Sequence, residues 1–160
     1  MTSAEERALL AEYFTTNSRL EKGFRDSVEY LGPLMPIQSD RLDQLSLVDE
    51  TAVLAYLKRF EQFEDALHRT LKAISKIMEY GKIERLTSRD VTRRAFALGI
   101  LPSADIWADA VRTRNALAHE YPLDPEKRAA QVNAAWNSRE TLLKTWAAIQ
   151  RFVEIEGLLP

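Results

Sequence analysis

The chain has 160 residues, the size of one compact domain. Hydrophobic residues make up 46% of it and charged residues 29%, which excludes a disordered or low-complexity protein. It contains no cysteine, so disulfides and thiolate metal sites are excluded. Its net charge of -2 combines an acidic excess in residues 1–65 with a basic excess in residues 66–160. No apolar run approaches the ~18 residues of a transmembrane helix, and the polar N-terminus is unlike a secretory signal. We therefore expect a cytoplasmic protein.

Two long helices are predicted in the first half of the chain. The first begins at Ser3 and stops at Gly32-Pro33, because proline lacks the N–H and disfavours helix at the residue before it. The second is predicted with Asp49 as its N-cap and Gly81 as the residue that follows its C-terminus. The segment between the two helices is predicted to be a loop.

Shorter helices are predicted in the second half, where apolar residues again recur every three or four positions. The boundaries are expected at Thr87 or Ser88, Gly99, Ser103, Pro122, Asp124 and Gly157. The last helix is expected to bend at Asn137-Ser138, where two poor helix formers adjoin. No segment alternates with a period of two. The prediction is an all-α, elongated antiparallel bundle of four to five helices that forms a single domain over residues 1–160.

Several familiar sites can be set aside. Phosphate-binding glycine loops are absent from the sequence, and two histidines without cysteine predict neither a metal nor a cofactor. Glu64 and Asp65 form a carboxylate pair, but adjacent residues point ~100° apart on a helix, so a solvated face is favoured. His68 is interpreted as a surface or boundary residue without a nearby partner.

The segment from Arg114 to Tyr121 combines the residue types of a phosphodiester-cleaving site. Asn115 and His119 are four residues apart, and Arg114 and Tyr121 are seven apart, so the spacing predicts neighbouring stripes near a helix end. Arginine binds phosphate through two parallel hydrogen bonds, and histidine transfers protons near neutral pH. The simpler alternative is a polar helix end whose side chains contact water and the last carbonyls.

The pattern Arg114-Asn115-x-x-x-His119-x-Tyr121 resembles the Arg-x4-His-x-Tyr signature of the HEPN superfamily, in particular the HepT-like toxins. The resemblance implies a metal-independent endoribonuclease toxin that works as a homodimer. In it Arg114 would bind the scissile phosphate, Asn115 would orient the reacting group, and His119 would act as general acid or base while the ribose 2′-hydroxyl attacks. It also implies a nucleotidyltransferase antitoxin that silences the toxin by attaching AMP to Tyr121.

A second group of basic residues lies just before this motif. Residues 82–94 carry five basic and two acidic side chains, and Arg89 and Arg93 are four apart, so they can contact adjacent phosphates from one helical face. Together with Arg112 they are the predicted RNA-binding residues. An ordinary solvated face remains an equal alternative, and since no aromatic residue interleaves with these arginines, base stacking is not predicted.

The sequence leaves three functions open. The leading one is the ribonuclease toxin with an RNA substrate. The alternative is a non-catalytic, substrate-binding helical partner of a nucleotidyltransferase, and the third is a helical adaptor in which Arg114 and His119 are structural. A homodimer is also expected because Trp107, Trp136 and Trp146 offer more aromatic surface than one slender bundle needs.

Overall fold

A computed structural model of the protein describes residues 3–79, 85–120 and 122–160. These residues form helices and connecting turns, without a strand among them. The helices are α1 (Ser3–Leu31), a 3-10 turn (Gly32–Leu34), α2 (Ser39–Leu42), α3 (Leu47–Met78), α4 (Ser88–Ala97), α5 (Ala104–His119), α6 (Pro125–Asn137) and α7 (Arg139–Glu156). The predicted all-α class is confirmed. The described residues contain more helices than predicted because the expected loop holds α2 and the last helix is divided in two.

The long helices α1 and α3 form an antiparallel pair that carries much of the core. The amide of Asn17 on α1 donates to the hydroxyl of Thr70 on α3 at 2.7 Å, while Tyr30 near the end of α1 donates to Asp49 near the start of α3 at 2.9 Å. Between these two points the aromatic rings of the helices meet. Phe24 lies 5.4 Å from the ring of Tyr56. Helices α4, α5, α6 and α7 pack against α3, whereas α2 packs against α6.

The three tryptophans belong to this core. Trp107, Trp136 and Trp146 are all buried within one chain, and the indole N–H of Trp146 donates to Glu21 at 2.8 Å. The reason given for a homodimer was therefore wrong, because α1, α3 and α7 already cover the aromatic surface that seemed to be in excess. A homodimer now depends on the family resemblance alone.

The start of α3 differs from its prediction by three residues. Ser46, and not Asp49, is the N-cap, because its hydroxyl accepts a hydrogen bond from the Asp49 N–H at 3.1 Å. Serine and aspartate are equally good caps, and the sequence offers both. Gly81, the predicted end of this helix, lies outside the described residues. The predicted bend at Ser138 is confirmed as the break between α6 and α7.

The short helix α4 is fixed at both ends. Thr87 accepts from the Asp90 N–H at 3.1 Å, and the Asp90 carboxylate accepts from the Thr87 N–H at 3.0 Å, which completes a capping box. At the other end Gly99 has a φ of +77°, a conformation that favours glycine, and the chain turns towards α5. Val91 and Ala95 are buried. The opposite face of α4 is thereby directed outwards.

Replacing Thr87 with alanine removes the hydroxyl of the cap. We expect Thr87→Ala to lower the free energy of unfolding by about 1 kcal/mol, which corresponds to a fall of about 2–4 °C in Tm for a chain of this size. Ser88→Ala is the matched control, since Ser88 is exposed and follows the cap. Urea unfolding and thermal melts measure both, and an equal loss in the two variants would contradict the role of the cap.

Candidate functional site

The arginine of the predicted motif lies partly inside the bundle. Arg114 on α5 donates through Nε to Oε2 of Glu64 on α3 at 2.8 Å, and its Nη2 lies 3.6 Å from Oδ1 of Asp65. Its side chain is 24% exposed, whereas that of Glu64 is fully buried. The predicted solvated face was therefore wrong for Glu64, because this side of α3 is covered by α5.

Burial dominates the electrostatics of Glu64. It raises the pKa of Glu64 from 4.5 to about 7, against the opposing effect of the hydrogen bond and the positive charge of Arg114. The negative charge of Asp65 raises the pKa further. Without the guanidinium, the pKa of Glu64 would rise further, because burial would act without the compensating charge of Arg114.

His68 lies one turn further along α3, beside Trp107 of α5. Its ring is parallel to that of Trp107, with 6.4 Å between the ring centroids. Burial lowers the pKa of His68, and the nearby charge of Arg114 lowers it too. The prediction of a boundary residue is confirmed, since His68 is half-buried, and its Nδ1 has no hydrogen-bond partner among the described residues. Glu64, His68, Trp107 and Arg114 form a group that we call the α3–α5 polar cluster.

Asn115 and His119 of the motif lie on a different side of α5 from Arg114. Arg112, Asn115 and His119 are three and four residues apart, so they share one stripe of α5, and all three are exposed. Asn115 follows Arg114 directly and is therefore rotated by ~100° around the helix. His119 is the last residue of α5, before the C-cap residue Glu120. In one chain the structure thus separates Arg114 from the two residues predicted to act with it.

Arg112 and Asn115 of this stripe belong to one wall of a groove between α4 and α5. This groove encloses about 640 Å³, and its lining includes Arg89 and Arg93 from α4 with Arg112 and Asn115 from α5. Asp105 is an acidic residue in the lining. We call it the arginine groove. It brings the three predicted RNA-binding arginines together with Asn115, although they come from two separate helices.

Tyr121 lies outside the described residues. Its modification by AMP and its position relative to Arg114 therefore stay predictions.

Two further properties concern the described residues only. No three histidine, aspartate or glutamate side chains among them come together in a way that could hold a metal ion. None of their helices combines the length and the apolar character that crossing a membrane requires.

Comparison with known proteins adds one finding. A sequence model of the family described as "nucleotidyltransferase substrate binding protein like" matches residues 10–145. The chain belongs to this family. The match begins within α1, ends within α7 and includes both the polar cluster and the arginine groove. Searches of curated proteins and of solved structures gave no match.

The family confirms the coarser part of the sequence interpretation, which is the connection with nucleotidyltransferases. The finer assignment to HepT-like ribonuclease toxins stays a prediction. The residues predicted to cleave RNA have not been tested by any of these findings.

The pairing of Arg114 with Glu64 predicts a pH-dependent stability. Because the pKa of Glu64 is about 7 in the folded chain and 4.5 ordinarily, folding favours the protonated carboxyl. The protonated carboxyl group of Glu64 therefore makes its full contribution to the stability of the folded chain below about pH 4.5. This contribution is lost as the pH rises through about 7. Arg114→Ala removes the compensating charge and leaves Glu64 to bind a proton, so we expect the loss of stability to be larger at pH 8 than at pH 5.5 by about 1–1.5 kcal/mol, because each pH unit above the folded pKa of about 7 costs ~1.4 kcal/mol.

Urea unfolding of wild type and variants at the two pH values measures this effect. Arg93→Ala is the control, because Arg93 is an exposed arginine of the groove wall, and it should leave stability nearly unchanged. Combining Arg114→Ala with Glu64→Gln should recover much of the loss at pH 8, since the buried charge is then absent. A loss that is equal at both pH values would point to packing and contradict the electrostatic explanation.

Proposed function

We propose that this chain is the substrate-binding partner of a nucleotidyltransferase, and that its arginine groove holds an anionic substrate for the transfer of a nucleotidyl group. The observation that carries this proposal is the convergence of Arg89, Arg93 and Arg112 on one open groove. Guanidinium groups bind phosphate and carboxylate through paired hydrogen bonds, so three of them on facing helices suit a substrate with several negative charges.

The charges of the groove are available to such a substrate. Within the described chain, no salt bridge includes Arg89 or Arg93, and Arg112 pairs with Asp109 on the surface. Exposed ion pairs contribute only about 0–1 kcal/mol, so a phosphate can replace Asp109 at little cost. The net charge of -2 therefore does not describe the local field between α4 and α5.

The position of Arg114 supports binding over cleavage. To contact a scissile phosphate, its guanidinium would have to leave Glu64, which is fully buried and would lose its hydrogen bond. Glu64 would then have to bind a proton or remain an unpaired carboxylate in the interior, and both outcomes are unfavourable. The simplest role for Arg114 is therefore to connect α5 with α3 and to hold the groove in place.

A metal-independent ribonuclease is the second candidate, and one observation favours it. His119 is exposed and lies four residues, or about one helical turn, beyond the groove residue Asn115 on the same stripe of α5, so it is a candidate proton donor or acceptor beside the groove. In this function the groove arginines would bind the phosphates and His119 would move the proton. The second imidazole of a homodimer would complete the acid–base pair, and AMP on Tyr121 would silence the enzyme.

The binding function is tested by co-expressing the chain with the nucleotidyltransferase encoded nearest to it in its genome. We expect the two proteins to copurify, and the complex to transfer radiolabel from α-labelled ATP to an acceptor in a cell extract. The double variant Arg89→Ala/Arg93→Ala should still copurify but should lower transfer at least about 10-fold, because each guanidinium–phosphate contact contributes roughly 1.5–3 kcal/mol.

The matched control is Arg151→Ala, which removes an exposed arginine on α7 and should change neither copurification nor transfer. The proposed function would be overturned if the two proteins did not associate. It would also be overturned if the Arg89→Ala/Arg93→Ala variant supported nucleotidyl transfer as well as the wild type does. Intact-mass spectrometry of the same mixture shows whether the chain itself gains AMP, and Tyr121→Phe shows whether Tyr121 is the site.

One assay separates the two candidate functions. The purified chain is incubated with total RNA in excess EDTA, beside its His119→Ala variant. The binding function predicts intact RNA in both samples. Cleavage that persists in EDTA and falls by about 10²–10⁴ in His119→Ala, the usual contribution of a positioned acid or base, would instead establish the ribonuclease.

A further inference from the structure

An exposed aromatic residue continues the line of arginines on α4. Phe96 is 52% exposed, on a helix whose inner face is packed against the core. It follows Arg89 by seven residues and Arg93 by three, so the three side chains share one face of α4. This face carries two cations and then an aromatic ring over ~10 Å of helix.

We propose that Phe96 is a stacking platform for a nucleobase, and that the arginine groove binds single-stranded nucleic acid. The proposal rests on the proposed function and names the class of substrate that the groove holds. Surfaces that bind single strands combine a positively charged groove, which follows the phosphates, with aromatic rings on which bases stack. The face of α4 provides both elements.

The helix that carries Phe96 is anchored at its inner face and at its C-terminal end. Val91 and Ala95 are buried on the opposite side of α4, and the N–H groups of Ile100 and Leu101 both donate to the carbonyl of Ala95 just before Phe96. The ring is therefore carried by a helix that is anchored to the core. An aromatic side chain also loses little conformational entropy on binding.

The shape of the groove favours a strand over a small molecule. Sites for small molecules usually bury about 70–90% of the surface of their ligand in a cleft or cavity. Here Arg89, Arg93, Arg112 and Asn115 are all exposed, so the groove is open to solvent along its walls. Its α5 wall extends from Ala104 to Asn115, which corresponds to ~16 Å of helix. A flexible strand can enter and leave such a groove.

The test measures binding of a 12-nucleotide, fluorescein-labelled oligouridylate by fluorescence anisotropy in 50 mM salt. We expect Phe96→Ala to weaken binding about 5- to 150-fold, which corresponds to the ~1–3 kcal/mol contributed by one stacked base. Phe96→Trp should retain or improve affinity, whereas Phe96→Leu, which is apolar but not aromatic, should resemble Phe96→Ala. Raising the salt to 200 mM should weaken binding by the wild type.

Ile106→Ala is the matched control. Ile106 is also 52% exposed, but it precedes the groove residue Ala108 by two positions and is therefore rotated from it by ~200° around α5. Removing the Ile106 side chain should leave the affinity for the oligomer unchanged. Circular dichroism and thermal melts establish that each variant is folded. An abasic oligomer of the same length gives the contribution of the phosphates alone, and its binding should not depend on Phe96.

Three results would overturn the inference. These are equal binding by wild type and Phe96→Ala, equal loss in Ile106→Ala, and equal affinity for AMP and the oligomer, which would indicate a mononucleotide site. All three leave the proposed function standing if the complex with the nucleotidyltransferase still depends on Arg89 and Arg93. Failure of the chain to associate with that enzyme, with stacking on Phe96 intact, would overturn the partner role alone.

Discussion

The ion pair between Arg114 and Glu64 determines how the rest of the site is arranged. It connects the middle of α3 with the last part of α5, and both partners belong to the polar cluster in which His68 lies against Trp107. A buried carboxylate requires a cation, so the rotation of α5 about its own axis is restricted. With Arg114 directed inwards, the stripe that carries Arg112 must face α4 and solvent.

The arginine groove is a consequence of that rotation combined with the two fixed ends of α4. Neither helix has a binding surface alone, because each contributes one wall. The core between α1 and α3 supports both helices. The arginines of the groove lie on the outer faces of α4 and α5, which do not pack against this core. This separation explains how a chain with a net charge of -2 can present a local excess of positive charge.

Much of the fold could be predicted from the sequence, whereas the burial of polar residues could not. Apolar periodicity and caps such as Thr87 and Ser103 are local signals, and the all-α class followed from them. Glu64 was expected on a solvated face because it and the adjacent Asp65 point ~100° apart on a helix, and only the packing of α5 across α3 buries it. Phe96 was missed because it lies two residues beyond the basic segment 82–94, on the same helical face. The spacing of Asn115 and His119 was sufficient to place them together, but nothing local shows that Arg114 faces inwards.

The shortness of α4 has a consequence for affinity. Isolated helices of fewer than ~12–15 residues are marginal in water, and α4 has 10 residues, so its folding depends on the capping box and on Val91 and Ala95. A ligand that contacts both the α4 wall and the α5 wall of the arginine groove binds only those protein molecules in which α4 is folded. Its apparent dissociation constant therefore equals the intrinsic one divided by that population. Local unfolding of one helix thus sets an upper limit on how tightly the groove can bind, and occupancy of the groove in turn stabilises the helix.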